Sequence, residues 1–248
     1  MILISVGNTH TLFAQTRGDN NFYTTRLSTA LAPAGLRQAL GEPWTHWWQQ
    51  EEIYVAGVVP AAVRAWQEEL RDCRLPDWDP EHFHRLLPNI YTPRQSLGFD
   101  RRCCLLGAWQ EVDGGAALVI DAGTAITVDT LAAGRFCGGW ILPGLQSQLD
   151  CLHRQTAQLP QLLPATDIPR LGTDTAGCMQ AGIWHGVVAT LRAAIDNFRA
   201  EYPHGAVILT GGDAQRLHPQ LPTSRQDPLL LLRGFAFLVQ KSVNTSET

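Results

Sequence analysis

One short stretch of the chain has the residue types and spacing for phosphate chemistry. Residues 116–120 form an apolar run typical of a buried strand, and Asp121 follows it directly, ahead of Gly123 and Thr124. Glycine lets a backbone approach an anion, and the threonine hydroxyl adds a hydrogen-bond donor. The pattern favours a phosphate-binding turn before a second strand at 125–130, although a plain glycine hairpin has the same form.

A near-copy of this arrangement stands at the start of the chain. A strand is predicted over residues 2–6, and Gly7, Asn8 and Thr9 then turn the chain. Two such strand–turn–strand units suggest a duplicated fold whose halves hold a polyphosphate between two turns. A pair of unrelated hairpins is the other interpretation.

Two further clusters could do chemistry. The run from Gly98 to Arg102 brings an acid, Asp100, and two guanidiniums to a predicted helix start. The helix dipole alone would favour an acid there, but a carboxylate base beside a phosphate-binding arginine has the same pattern. Gly211 and Gly212 follow a predicted strand and leave room for a flat ligand such as adenine, or form only a tight turn.

Composition excludes several classes of protein. Lys241 is the only lysine among 248 residues, so neither a P-loop nor a protein-kinase strand lysine is possible, and backbone amides and hydroxyls would have to bind ATP phosphates. The net charge of −4 argues against nucleic-acid binding. We expect no membrane span, no signal peptide and a cytoplasmic location. The six cysteines lack CxxC spacing, and Arg101 and Arg102 could lower the pKa of the following thiols.

The order of predicted elements indicates how these residues are positioned. Strands are expected at 22–27 and 53–59, and helices at 29–40 and 61–71, with loop and a short strand at 75–88. The second half adds strands at 135–142 and 206–209 and helices at 176–198 and 229–239. Alternation of this kind predicts an α/β protein of two ribonuclease-H-like (actin-like) domains, with helix-flanked mixed sheets and a cleft between them. We place the domains at 1–112 and 113–248.

Taken together, these motifs resemble the type III pantothenate kinases, a family of the acetate kinase, sugar kinase, Hsp70 and actin superfamily. Seven matching stretches run in the order of that family across nearly the whole chain. They are GNT from Gly7, Tyr91 with LGFDR from Leu97, DAGT from Asp121, GGWILPGL from Gly138, TAQLP from Thr156, GTDT from Gly172 and TGGD from Thr210.

The resemblance implies phosphorylation of pantothenate by ATP, with Mg²⁺, on the route to coenzyme A. It makes Asp100 the proton acceptor and assigns pantothenate binding to Tyr91, Gly98, Phe99, Asp100, Arg101 and Thr175. It assigns a monovalent cation, K⁺ or NH₄⁺, to Asp121, and ATP binding to Ser5, Val6, Gly7, Asn8, Thr9, Thr124, Gly211 and Gly212. Relatives of this kind are homodimers, and the large apolar residues of the 176–198 helix suggest a dimer through that helix.

One position departs from the family pattern. The first phosphate motif of the family usually has aspartate where this chain has Ser5, and the first acid of the chain is Asp19. Magnesium–ATP would then rely on other carboxylates, with Asp121 and Asp129 as candidates. This departure supports an alternative, a weakly active or inactive member acting as a regulatory or accessory factor. A related sugar kinase or phosphatase is a third possibility, which the Gly98–Arg101 motif disfavours.

Overall fold

The computed structural model describes residues 1–18, 21–31, 33, 41, 52–70 and 80–245. The first part of the chain contains strands β1 (Ile2–Val6), β2 (His10–Thr16), β3 (Phe22–Ser28) and β4 (Ile53–Gly57), and helices α1 (Pro60–Glu69), α2 (Pro80–Leu86) and α3 (Phe99–Val112). The second part contains β5 (Ala117–Ala122), β6 (Ala125–Ala132), β7 (Arg135–Pro143), α4 (Leu145–Gln155), α5 (Thr175–Glu201), β8 (Ala206–Thr210), α6 (Ala214–Leu217), β9 (Arg225–Gln226) and α7 (Leu230–Thr245).

The chain divides into two compact units. Unit 1 comprises Met1–Gln110 and Leu229–Thr248, and unit 2 comprises Glu111–Pro228. The first division falls close to the expected boundary at 112, but α7 belongs to unit 1 instead of the C-terminal domain. The physical reason is packing, because Leu232 and Phe235 of α7 are fully buried in one apolar cluster with Leu3 of β1 and Phe99 of α3.

Unit 1 is built on a four-stranded sheet of order β3-β2-β1-β4. β1 runs antiparallel to β2 and parallel to β4, as expected for a mixed sheet. Alternate β1 side chains enter two different clusters. Ile2, Ile4 and Val6 pack with Trp66 of α1, whereas Leu3 faces the cluster around Phe99.

Unit 2 contains a five-stranded sheet of order β7-β6-β5-β8-β9. One face of its three central strands packs against Val187, Leu191 and Phe198 of α5. β5 is parallel to β8 and antiparallel to β6, so this sheet is mixed as well. The α/β class with helix-flanked mixed sheets is therefore confirmed.

Several local expectations change. Helix α2 occupies Pro80–Leu86, where the sequence suggested loop with a short strand, while 71–79 and most of the helix expected at 29–40 lie outside the described residues. Most of the expected apolar surface of α5 is covered, because Met179, Val187, Val188 and Leu191 are buried, and Ile183 and Trp184 are partly buried against the core of unit 2. Among the described helices, none is both long enough and apolar enough to span a membrane.

Candidate active site

The first glycine turn of unit 1 is held by a threonine that the sequence did not indicate. Gly7 N donates to the His10 carbonyl (3.0 Å), and Thr29 Oγ1 donates to the Gly7 carbonyl (2.8 Å). Thr29 N also donates to the Thr9 carbonyl at 3.0 Å, so Thr29 fixes both ends of the turn. Asn8 and Thr9 are exposed in the chain.

Ser5 and Val6 lie before this turn, within β1. Ser5 pairs with Leu12 and Ala56 on the face that carries Leu3, and it is only 6% exposed. The position is therefore part of the buried strand rather than of the turn. The Val6 side chain lies in the opposite apolar cluster, so Val6 can offer a ligand only its backbone.

The second cluster of unit 1 is built where α3 begins. Arg101 Nη1 donates to Tyr91 Oη at 3.2 Å, and the guanidinium carbon lies 5.2 Å from the centroid of the same ring. Asp100 Oδ1 accepts a hydrogen bond from Arg101 N (2.8 Å). A Cβ on Gly98 would come within 2.8 Å of that oxygen, so glycine makes room for the carboxylate. Tyr91, Gly98, Asp100 and Arg101 thus form one group.

Burial separates the roles within this group. Arg101 is 5% exposed, whereas Asp100 is half-buried and can be reached by a substrate. Phe99 is a core residue that meets Phe235 edge-to-face at 5.0 Å, so its side chain anchors α3 and only its backbone could contact a substrate. Complete burial and then Asp100 raise the pKa of Cys103, which corrects the expectation of a lowered thiol pKa.

In unit 2, Asp121 has hydroxyl-bearing neighbours on the same face of the sheet. It is the penultimate residue of β5 and pairs with Thr127 in β6 and Thr210 in β8. Asp129 lies two residues from Thr127 on that face of β6 and is 1% exposed. The oxygen atoms of these side chains are the kind that hard cations prefer. No group of three or more His, Cys, Asp or Glu side chains suited to a metal occurs among the described residues.

Two glycines bring neighbouring segments onto the turn after Asp121. Gly144 N and Ser147 Oγ both donate to the Thr124 carbonyl, at 2.9 and 2.7 Å. A Cβ at Gly144 would collide with the Gly123 carbonyl. Gly211 has φ +92°, and a Cβ there would collide with Asp121 Oδ1 and the Ala122 backbone. Gly211 is therefore required by both its conformation and its contact with the Asp121 carboxylate.

Thr175 is the exposed first residue of α5. Asp174 caps this helix, because its Oδ1 accepts a hydrogen bond from Gly177 N at 2.7 Å. Gly172 lies so close to the backbone of Cys178 that a Cβ would collide with it. The GTDT motif is thus explained by helix capping and close packing, which leave the Thr175 side chain at the surface of the chain.

Solved structures of similar architecture identify the fold of the chain. One match is a conserved Campylobacter jejuni protein named for the Baf family of transcriptional activators. It matches with TM-score 0.64 and 22% identity, over 98% of this chain and 100% of its own. A ROK family glucokinase from Streptomyces griseus matches with TM-score 0.54 and 8% identity over 97% of this chain and 99% of its own. Component A of the Acidaminococcus fermentans (R)-2-hydroxyglutaryl-CoA dehydratase matches with TM-score 0.53 and 14% identity, over 100% of this chain and 99% of its own. The fold is that of the actin-like ATPases and sugar kinases.

Sequence comparison is more specific. A family model for type III pantothenate kinase matches residues 1–197. A type III pantothenate kinase of Gloeobacter violaceus is 37% identical over 210 residues, covering 80% of this chain and 87% of its own. One from Synechococcus sp. strain JA-2-3B'a(2-13) is 37% identical over 201 residues, covering 77% and 74%. The chain therefore belongs to the type III pantothenate kinase family.

Proposed function

We propose that this protein transfers the γ-phosphoryl group of ATP to the primary hydroxyl of pantothenate, giving 4′-phosphopantothenate for coenzyme A synthesis. The observation that carries the proposal is the group at the start of α3, in a chain of this family. There, the reachable carboxylate of Asp100 accepts a hydrogen bond from the Arg101 backbone amide, and the buried guanidinium of Arg101 donates to the Tyr91 hydroxyl. A primary hydroxyl is a weak nucleophile, and this arrangement can orient it and accept its proton.

Each residue of the group has a distinct role in the proposal. Asp100 accepts the hydroxyl proton late in a loose phosphoryl transfer. Arg101 keeps its charge at any physiological pH and attracts the carboxylate of pantothenate. Tyr91 holds the Arg101 side chain, and Gly98 leaves room for the Asp100 carboxylate. Pantothenate also contacts the backbone of Phe99 and the exposed hydroxyl of Thr175.

ATP is bound by backbone groups and hydroxyls, because the chain has a single lysine. Phosphate contacts are assigned to Ser5 and Val6 at the end of β1, to Gly7, Asn8 and Thr9 in the turn that follows, and to Thr124 in unit 2. Gly211 and Gly212 lie beside adenine. Asp121 and Asp129, on the oxygen-rich face of the sheet, would hold magnesium, which would supply charge neutralisation for the transferred phosphoryl group.

The side-chain oxygen atoms around Asp121 also support a monovalent cation at that residue. Thr127 and Thr210 flank Asp121 on one face of the sheet, and their oxygen atoms suit K⁺ or NH₄⁺. A cation there would offset phosphate charge in a chain that has a single lysine. We expect turnover in potassium or ammonium buffer to exceed that in sodium buffer at equal ionic strength. Equal rates in sodium, potassium and a bulky organic cation would contradict this assignment.

A homodimer is part of the proposal, with Thr175 of one subunit near Asp100 of the other. The exposed face of α5 carries Gly182, Gly186 and Ala189, and a Cβ added at either glycine would meet no described atom of another element within 4 Å. Such a face allows the close approach of another helix. The dimer at α5 is therefore proposed from this face of small residues, and not from the large apolar residues on which the sequence-based expectation rested.

Release of ADP from ATP, measured with and without pantothenate, tests the activity. The expected result is ADP release that depends on pantothenate and is not supported by glucose or other sugars. A regulatory or accessory role is the second candidate, favoured only by Ser5 at the usual aspartate position. Pantothenate binding without any stimulation of ADP release would support that second candidate and contradict the first.

A further inference from the structure

The loop from 156 to 174 in unit 2 is held along its length by side chains of two helices. Gln146 Nε2 of α4 donates to the Leu162 carbonyl at 3.0 Å. Gln180 of α5 makes two bonds, donating to the Leu163 carbonyl (2.7 Å) and accepting from Ala165 N (3.1 Å). The loop leads directly to Asp174 and Thr175, at the start of α5.

A further hydrogen bond to this loop comes from Arg216, which lies outside α4 and α5. Arg216 lies in α6, directly after the turn that contains Gly211 and Gly212, and its Nη2 donates to the Ala165 carbonyl. Its Nη1 lies 3.8 Å from Asp213 Oδ1, and Arg216 N donates to the Asp213 carbonyl at 3.1 Å. The Arg216 side chain is 28% exposed and that of Asp213 is 24% exposed, so solvent screens their attraction only in part.

The turn that contains Gly211 and Gly212, called the glycine turn below, also contacts the end of β5. Asp213 N donates to the Ala122 carbonyl at 2.9 Å, and Gly211 lies against Asp121. A continuous set of contacts therefore runs from Asp121 through the glycine turn and Arg216 to Ala165. Gln180 holds the Ala165 amide from the other side, on the helix that begins at Thr175.

We propose that Arg216 is a positioning residue that couples nucleotide binding at the glycine turn to the loop before Thr175. The inference rests on the proposed function, which assigns nucleotide to this turn and pantothenate to Thr175. A nucleotide that orders the turn would hold Arg216, and Arg216 would hold the Ala165 carbonyl. Nucleotide would then raise the affinity for pantothenate, and by linkage pantothenate would raise the affinity for nucleotide equally.

A matched control exists in the same unit. Arg192 of α5 makes the same kind of bond to a loop, with Nε donating to the Gln220 carbonyl at 3.0 Å. It contacts the turn at 218–220 instead of the 156–174 loop. Arg192→Gln therefore removes a comparable guanidinium–carbonyl bond and leaves the tether at Ala165 unchanged.

The first measurement is the affinity for pantothenate with and without a non-hydrolysable ATP analogue. For the wild type and Arg192→Gln we expect the analogue to tighten pantothenate binding at least about five-fold, the lower range of allosteric coupling. In Arg216→Gln the factor should fall to about one to two, with kcat changed less than the KM for pantothenate. A factor in Arg216→Gln equal to that of the wild type would overturn the proposal, since a purely structural role predicts that outcome.

The second measurement does not depend on pantothenate. Hydrogen exchange of residues 156–174 is followed in the full chain with and without ATP. We expect ATP to slow exchange there in the wild type and in Arg192→Gln but not in Arg216→Gln. If ATP slowed exchange at residues 156–174 but the protein did not phosphorylate pantothenate, the coupling would be supported and only the proposed substrate would be overturned. Normal turnover without protection in the wild type would overturn the coupling alone.

Discussion

At the scale of single residues, burial divides the group at the start of α3 into the proposed reactive residue, Asp100, and the residues that support it. The Asp100 carboxylate is half-buried, while Arg101 is 5% exposed and is held by Tyr91. A charged side chain that is buried and hydrogen-bonded has a fixed position, whereas a partly exposed one can receive a proton from a ligand. Chemistry at this site should therefore depend on Asp100 itself, and geometry on its neighbours.

Asp100→Asn should lower kcat by about 10²–10⁴-fold, because an amide cannot accept the hydroxyl proton. The KM for ATP should change little, since Asp100 contacts only the other substrate in our proposal. Steady-state kinetics with a thermal-unfolding control measures both. Glu111→Gln, which removes a surface carboxylate paired with Arg225, is the control and should retain kcat within about two-fold. Near-full turnover in Asp100→Asn would remove this residue from the mechanism.

Ser5→Asp tests the one departure from the family. A restored carboxylate should tighten the apparent affinity for magnesium–ATP by about ten-fold, or roughly 1–2 kcal/mol at an effective protein dielectric. Because Ser5 is 6% exposed between Leu12 and Ala56, the new charge should also lower the midpoint of thermal unfolding without ligand. Titration of magnesium at fixed ATP measures the gain. An unchanged or weaker magnesium dependence would mean that the site has adapted to serine.

At the scale of elements, two glycines pack against the end of β5 and the turn after it. Each glycine lies in a segment that directly follows another strand of the same sheet. Gly144 follows β7 and packs on the Gly123 carbonyl, and Gly211 follows β8 and packs on Asp121. Neither position has space for a side chain. The turn after β5 is therefore shaped by packing from both sides and not by its own residues alone.

Gly211→Ala should destabilise the protein by about 2–4 kcal/mol, combining strain at positive φ with a collision against Asp121 and Ala122. Gly123→Ala is the matched variant, because a Cβ there meets only the Ala125 carbonyl at 3.7 Å. Its stability should change by less than about 1 kcal/mol. Urea unfolding of both variants provides the comparison. Equal stability losses would show that the packing around Gly211 is less tight than described.

The sequence predicted most elements, because their apolar periodicity is strong and glycine and proline mark their ends. The strand at 2–6, its turn, and the helix that follows Gly98 are confirmed within a few residues. The sequence could not predict that Thr29 fixes the Gly7 turn, since that bond joins residues 22 positions apart. For the same reason the burial of Ser5 and the packing of α7 on unit 1 depend on tertiary contacts that no local pattern contains.

At the scale of the whole molecule, the proposed dimer determines how many chains make one active site. The large apolar residues of α5 are buried or partly buried, and its exposed positions include Gly182, Gly186 and Ala189. The proposed site takes Asp100 from one subunit and Thr175 from the other. Complementation between inactive variants distinguishes such a shared site from one made by a single chain.

Asp100→Asn and Thr175→Tyr should each be inactive as homodimers, the first for lack of a base and the second because a ring fills the pocket. Co-expression in equal amounts should restore about a quarter of wild-type activity, since half of the dimers are mixed and each mixed dimer has one intact shared site. Sedimentation at micromolar concentration should show a dimer throughout. A fully active monomer, or mixed dimers without activity, would defeat the shared-site assignment.

The central claim is that this chain makes 4′-phosphopantothenate, and identification of the product tests it most directly. Purified protein is incubated with ATP, magnesium, potassium and pantothenate, and the products are quantified by mass spectrometry. We predict 4′-phosphopantothenate and ADP in equal amounts, with formation of both reduced at least about 100-fold in Asp100→Asn. ADP without 4′-phosphopantothenate, or equal product yields from the wild type and Asp100→Asn, would contradict the account.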